Sequence, residues 1–272
     1  MKNLYRVIII LSLIVGLCGC DFEGDEQRSN IGLSLLNLKD AINAGDRSKL
    51  QDVISEEYND GGTKKAVFVE DLLNRKLYIS GYDLGKIDLN EAKNKASTIC
   101  EWRFPGGDVM VRVPIFMREV SVNTTVYNRT RFSLQREGND VWRITRAEPL
   151  AIIREGRLGV SPPSITTLEY SPEPPRRGEA VDMRMRIERS VEDRSIFLAV
   201  NGIPVGSYTQ SGLPNKELSD TFLQVFRIPA DIPEKGEYPI EVIAFEGRVD
   251  PLQIPLSDLD GLHYKKITLI VR

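Results

Sequence analysis

Proline divides this chain. Twelve of its fifteen prolines lie at or after Pro162, where no helical pattern survives. A residue with a locked φ and no amide hydrogen ends helices and is confined to turns, edges and bulges of sheets. The second half must therefore be built from short strands and their connections. The first half carries helical and strand patterns together. The change falls in Glu155-Gly156-Arg157-Leu158-Gly159-Val160-Ser161-Pro162-Pro163, read as a linker over 155–163 that its Pro-Pro end stiffens.

The first half, 31–154, opens with helices. Leu33, Leu36, Ala41 and Ile42, flanked by Leu35 and Leu38, recur close to helical period. Gly45 ends that stretch and Asp46 can cap a second helix carrying Leu50, Val53 and Ile54. Gly61-Gly62 turns the chain into a third helical stretch around Val67 to Leu77. The period then becomes two. Ala96, Thr98, Cys100, Trp102 and Phe104 alternate with polar residues, Gly106-Gly107-Asp108 reads as a turn, and Val109, Val111 and Val113 continue the alternation. A further strand is expected near Thr125 to Arg136 and a last one carries Trp142 and Ile144. Helices first and an antiparallel sheet after is an α+β order.

Two segments carry a family likeness. Ala41-Ile42-Asn43-Ala44-Gly45-Asp46 with the short helix to Tyr58, and the run from Thr130 to Ile144 with its Glu137-Gly138-Asn139-Asp140 turn, resemble the opening and the last two strands of NTF2-like (SnoaL-type) domains. The resemblance implies an α+β cone, helices on a curved antiparallel sheet, whose mouth can hold a small molecule. Some relatives are isomerases or dehydratases and many others are not enzymes. Trp102, Phe104, Phe132 and Trp142 share the inferred inner face, so these four and Tyr58 are the candidate pocket lining.

The second half, 164–272, reads as strands throughout. Val181, Met183, Met185 and Ile187 alternate strictly with charged partners, and Asn201-Gly202 is a strong hairpin signal. Gly236-Glu237-Tyr238-Pro239-Ile240-Glu241-Val242-Ile243-Ala244 resembles the penultimate strand of bacterial Ig-like domains. The expected fold is therefore an α+β cone plus an all-β Ig-like sandwich.

The amino terminus supplies an address. Lys2 and Arg6 precede an apolar run from Val7, and the run ends in Leu17-Cys18-Gly19-Cys20. A basic start, an apolar core and a small residue before the cut describe a secretory signal over 1–19. The Leu-x-Gly-Cys ending resembles the lipobox of bacterial lipoproteins. That resemblance implies cleavage before Cys20, its acylation with palmitate-type chains, and a tether over 20–30. Asp21 resembles the signal that keeps such proteins on the periplasmic face of the inner membrane, with the outer membrane or cell surface as alternatives.

Charge and residue inventory then narrow the chemistry. The formal net charge is −3, which the loss of Lys2 and Arg6 with the signal takes to −5, so nucleic acid is not an expected partner. Of three cysteines only Cys100 is neither in the signal nor lipidated, and it reads as a small buried hydrophobe. The one histidine, His263, reads as an exposed loop residue. Tyr58, Asp60, Tyr78, Tyr82 and Asp83 are the phenols and carboxylates beside the helices, but no nucleophile–base constellation accompanies them. Asp258-Leu259-Asp260-Gly261 lacks the remaining ligands of a calcium loop, so no metal and no cofactor is expected. The reading is a membrane-anchored exported lipoprotein with a non-enzymatic binding or scaffold role. Its partners are the bilayer through acylated Cys20, an envelope protein and a small apolar ligand. An isomerase- or dehydratase-type enzyme and an adhesion or assembly module of the cell envelope are the alternatives.

Overall fold

The computed structural model describes residues 22–113, 118–188, 195–201, 203–208, 221–231, 236–247 and 261–271. The signal, Cys20, Asp21 and the Asp258–Asp260 fragment lie outside them. Three α-helices, α1 (Phe22–Ala44), α2 (Arg47–Val53) and α3 (Lys65–Asn74), stand at the amino-terminal end. A small hairpin of β1 (Asn59–Asp60) and β2 (Thr63–Lys64) lies between α2 and α3, and β3 (Gly81–Leu84) and β4 (Asp88–Leu89) follow. Then come three long strands, β5 (Lys95–Val113), β6 (Arg118–Glu137) and β7 (Val141–Gly159). The rest is β8 (Ser164–Ser171), β9 (Ala180–Glu188), β10 (Ser195–Val200), β11 (Ile203–Tyr208), β12 (Thr221–Arg227), β13 (Glu237–Gly247) and β14 (Gly261–Ile270).

The chain is mostly strand. Its main sheet is nine-stranded and antiparallel, in the order β11-β10-β13-β14-β7-β6-β5-β3, with β4 also pairing β5. This overturns the expected α+β cone with a separate Ig-like sandwich. The helices cover one end only of a sheet that runs without a break from the first half into the second. The joint is β7, whose stretch from Thr124's partner Gly156 back to Ala151 is paired on one side with β6 and on the other with β14. Glu155 to Gly159, read as linker, belong to that strand, and the connection to β8 is short.

Close backbone approach explains why a glycine sits at the joint. A Cβ on Gly156 would fall 2.6 Å from the Asn123 carbonyl oxygen and 2.6 Å from Val122 Cγ1. The expected Gly106-Gly107-Asp108 turn is likewise absent. It is a bulge within the single strand β5, between Pro105 and Gly107, where Gly107 takes φ +67°.

Three cores hold this arrangement. In the first, α1 buries Ile31, Leu35, Leu38 and Ile42 against β5, β6 and β7. That spacing of four, three and four is a truer helical stripe than the one expected, and Leu33 is 55% exposed. The helix also begins earlier than expected, since residues 22–30, read as tether, form its first turns. Gln27 is buried there and accepts the Trp142 indole N–H at 2.7 Å. Asp46 caps α2 through Lys49 N at 3.1 Å. The second core lies between a three-stranded sheet, β12-β9-β8, and the far end of the main sheet. There the strict alternation of β9 puts Val181, Met183, Met185 and Ile187 inward. In the third, Val111, Val113 and Val122 pack onto Ile243, Phe245, Leu262 and Tyr264 of β13 and β14. Strand β13 is thus buried on both faces, with Val242 and Ala244 turned to the second core.

Candidate functional site

A cavity of about 230 Å³ opens between the helices and the inner face of β5 and β6. Alternation along β5 sends Trp102 and Phe104 to that face, and on β6 it sends Asn128, Thr130 and Phe132 there. The connection after α2 supplies Tyr58 and Asp60, and α3 supplies Phe68. Tyr58 stacks on Phe68 with ring centroids 4.5 Å apart and planes 11° from parallel, while Trp102 tilts 44° against Phe132 at 5.8 Å. Four of the five expected lining residues, Tyr58, Trp102, Phe104 and Phe132, therefore meet in one place.

Trp142 does not join them. It is buried beneath α1, where its N–H is given to Gln27 and its carbonyl accepts from Ser34 Oγ at 2.9 Å. Trp142 lies ten residues beyond Phe132, across the β6–β7 turn, and its register partner is Arg136 rather than Phe132. The sequence reading missed Phe68 and Ala147, and on β6 it missed Asn128 and Thr130. That pair's spacing of two before Phe132 is the signal that could have found it.

The polar groups of the cavity are mostly committed. Arg146 Nε donates to Asp60 Oδ1 at 3.3 Å, and Thr130 Oγ1 donates to Asn128 Oδ1 at 3.0 Å. Burial, reinforced by the charge of Asp60, pushes the Tyr58 hydroxyl well above its ordinary range, so it stays a protonated phenol. A carboxylate held by an arginine beside a phenol that keeps its proton offers hydrogen bonds and orientation. Of the other phenols and carboxylates considered, Tyr78 is exposed, and Asp83 pairs with Arg103 on the opposite face of β5.

That opposite face carries a wider polar groove, about 530 Å³, containing Glu101, Arg129 and Arg131. Burial raises the Glu101 carboxyl, opposed by the nearby Arg129. Arg129 reaches Glu173 at 3.5 Å and Arg131 reaches Glu148 at 3.7 Å, so both arginines have acidic neighbours within the protein.

His263 is a correction. It is not an exposed loop residue but a fully buried one in β14. Its Nδ1 accepts the backbone N–H of Ile165 at 2.8 Å, which leaves Nε2 to donate to Glu155 Oε1 at 2.9 Å. Lys265 Nζ meets the other carboxylate oxygen at 3.0 Å. Burial alone would raise the Glu155 carboxyl, but the His263 hydrogen bond and the Lys265 charge outweigh it and bring it down to about 2. This cluster ties β8 to the main sheet.

Among the described residues no group of three or more His, Cys, Asp or Glu side chains could hold a metal ion, and no helix is long and apolar enough to cross a membrane. No protein-family model matches the chain, and no curated protein matches it in sequence.

Proposed function

We propose that this protein is an exported lipoprotein, anchored through acylated Cys20, that binds a small apolar molecule without chemically altering it. The observation that carries this reading is the aromatic-walled cavity of about 230 Å³ at the helix-covered end. An engineered apolar cavity of about 150 Å³ stays dry and takes up benzene, so a void half as large again suits one ring with a short substituent. The state of the polar groups supports binding rather than turnover, because Asp60 is held by Arg146 and Tyr58 keeps its proton.

The anchor rests on the Leu17-Cys18-Gly19-Cys20 motif, and Asp21 favours the periplasmic face of the inner membrane. One acyl chain holds a protein only marginally, so stable attachment calls for the multiple acylation typical of such signals. With α1 starting at Phe22, two residues beyond Cys20, an acylated chain would hold the first turn of α1 at the headgroups, and the cavity residues Leu38 and Ile42 would lie about 25–30 Å further along the helix.

Two experiments test the reading. Fractionation of cells expressing Cys20→Ala should find the protein in the soluble fraction, and unchanged membrane retention would reject the anchor. Titration with ethylbenzene, followed by tryptophan fluorescence, should show saturable binding that Ala147→Leu weakens at least about tenfold by filling the wall. A chain that ignores ethylbenzene rejects the cavity as a binding site.

A further inference from the structure

Asn128 stands on the inner face of β6, across from Trp102 in register, and its side chain lines the cavity while staying partly exposed. Its amide is half used. The Thr130 hydroxyl donates to Oδ1 at 3.0 Å, which fixes that end, and among the described residues no acceptor takes the Nδ2 hydrogens. Asn43 is the contrasting case. Its Oδ1 accepts the Ile79 backbone N–H at 2.7 Å and its Nδ2 donates to the Ile79 carbonyl at 2.9 Å, so both ends are engaged. A primary amide carries two donor hydrogens, and a donor set among aromatic side chains gains from any acceptor brought to it. The charges of the wall cancel, since Asp60 is paired with Arg146 and Asp71 with Arg75. An ionic guest would shed its hydration there without meeting a countercharge.

We propose that Asn128 Nδ2 selects among the guests of this cavity, donating to the carbonyl-type acceptor of a neutral single-ring molecule. The proposal rests on the cavity being a binding site. Phe104, Phe132 and the Tyr58–Phe68 stack hold the ring, and the amide reads the acceptor. Thr130 gives the reading its sense: by donating to Oδ1 it turns the amide so that the nitrogen, not the oxygen, is left for the guest. A hydrocarbon of the same size fills the space and leaves the amide hydrogens unused.

The test uses acetophenone, ethylbenzene and benzoate on the full chain. In ¹H–¹⁵N spectra the Asn128 side-chain amide resonances should move downfield with acetophenone and not with ethylbenzene, while those of Asn43 stay in place. Acetophenone leaves water less readily than ethylbenzene, so the affinities are compared as a ratio between two proteins. Asn128→Leu, which keeps the size of the side chain and removes its donor, should weaken acetophenone relative to ethylbenzene several-fold, up to about tenfold. Benzoate should bind weakest of the three. Where the variant fails to fold, the amide shifts of the unaltered protein decide. Acetophenone binding without an Asn128 shift, or a ratio unchanged by Asn128→Leu, would overturn the donor and leave the cavity as a binding site. Benzoate binding tightest would overturn the neutral guest, and no binding by any of the three would remove both readings.

Discussion

The Nε2 of His263 and the Oε1 of Glu155 stand 2.9 Å apart at the seam where β14 pairs with β7, although they are 108 residues apart in sequence. Around them the backbone of Ile165 and the ammonium of Lys265 complete a buried knot between the two sheets.

That knot predicts an acid-sensitive contribution to stability. The Glu155 carboxyl is held near 2 in the folded protein, against an ordinary value of 4.5. A depressed carboxyl contributes stability that is whole above about 4.5 and is lost as pH falls towards 2. Its size is on the order of 3 kcal/mol. Urea denaturation between pH 2 and 6 should show this loss, and Glu155→Gln should be less stable at pH 7 and flatter across that range. Parallel curves for the two proteins would deny the knot its role.

Gly156 should be far less tolerant of an added methyl group than Gly138. At Gly156 a Cβ meets backbone and side chain at 2.6 Å, whereas at Gly138 nothing lies within 4 Å. Gly156→Ala should cost about 2 kcal/mol or more, and Gly138→Ala should change stability by less than about 0.5 kcal/mol. Thermal melting of the pair decides it.

Trp142→Phe should separate stability from binding. It strips the donor from a 2.7 Å buried hydrogen bond and leaves Gln27 Oε1 unsatisfied, at a cost of about 1–3 kcal/mol. Because Trp142 stands apart from the cavity, ethylbenzene affinity measured well below the melting temperature should not change.

Cys100 should be inert. Burial, with help from the charges of Asp83 and Glu101, pushes its thiol up to about 12, so almost no thiolate forms near neutrality. In a chain carrying Cys18→Ala and Cys20→Ala, a thiol reagent should label nothing at pH 8 until denaturant is added. Rapid labelling of the folded protein would contradict the burial.

Local patterns in the sequence were legible where one face meets one core. The alternation over Val181 to Ile187 matches the inward set of β9, and the aromatic alternation at Trp102 and Phe104 points to the cavity. What escaped depends on partners distant in the chain. Glu155-Gly156-Arg157-Leu158-Gly159 has the composition of a linker, and only the pairing of β14 and β6 on either side makes it a strand. His263, among turn-like neighbours, looks exposed until β8 arrives to cover it. The helix before Ile31 was hidden for the same reason: its polar Gln27 is buried by one hydrogen bond to a tryptophan far along the chain.

Strand β7 belongs to both ends of the molecule, and that leaves no place to cut it into independent pieces. A chain stopped after Gly159 would lose β14 and bare a long hydrogen-bonding edge from Ala151 onward. Such an edge recruits other chains, so truncation here should yield aggregates in place of a free-standing amino-terminal fragment.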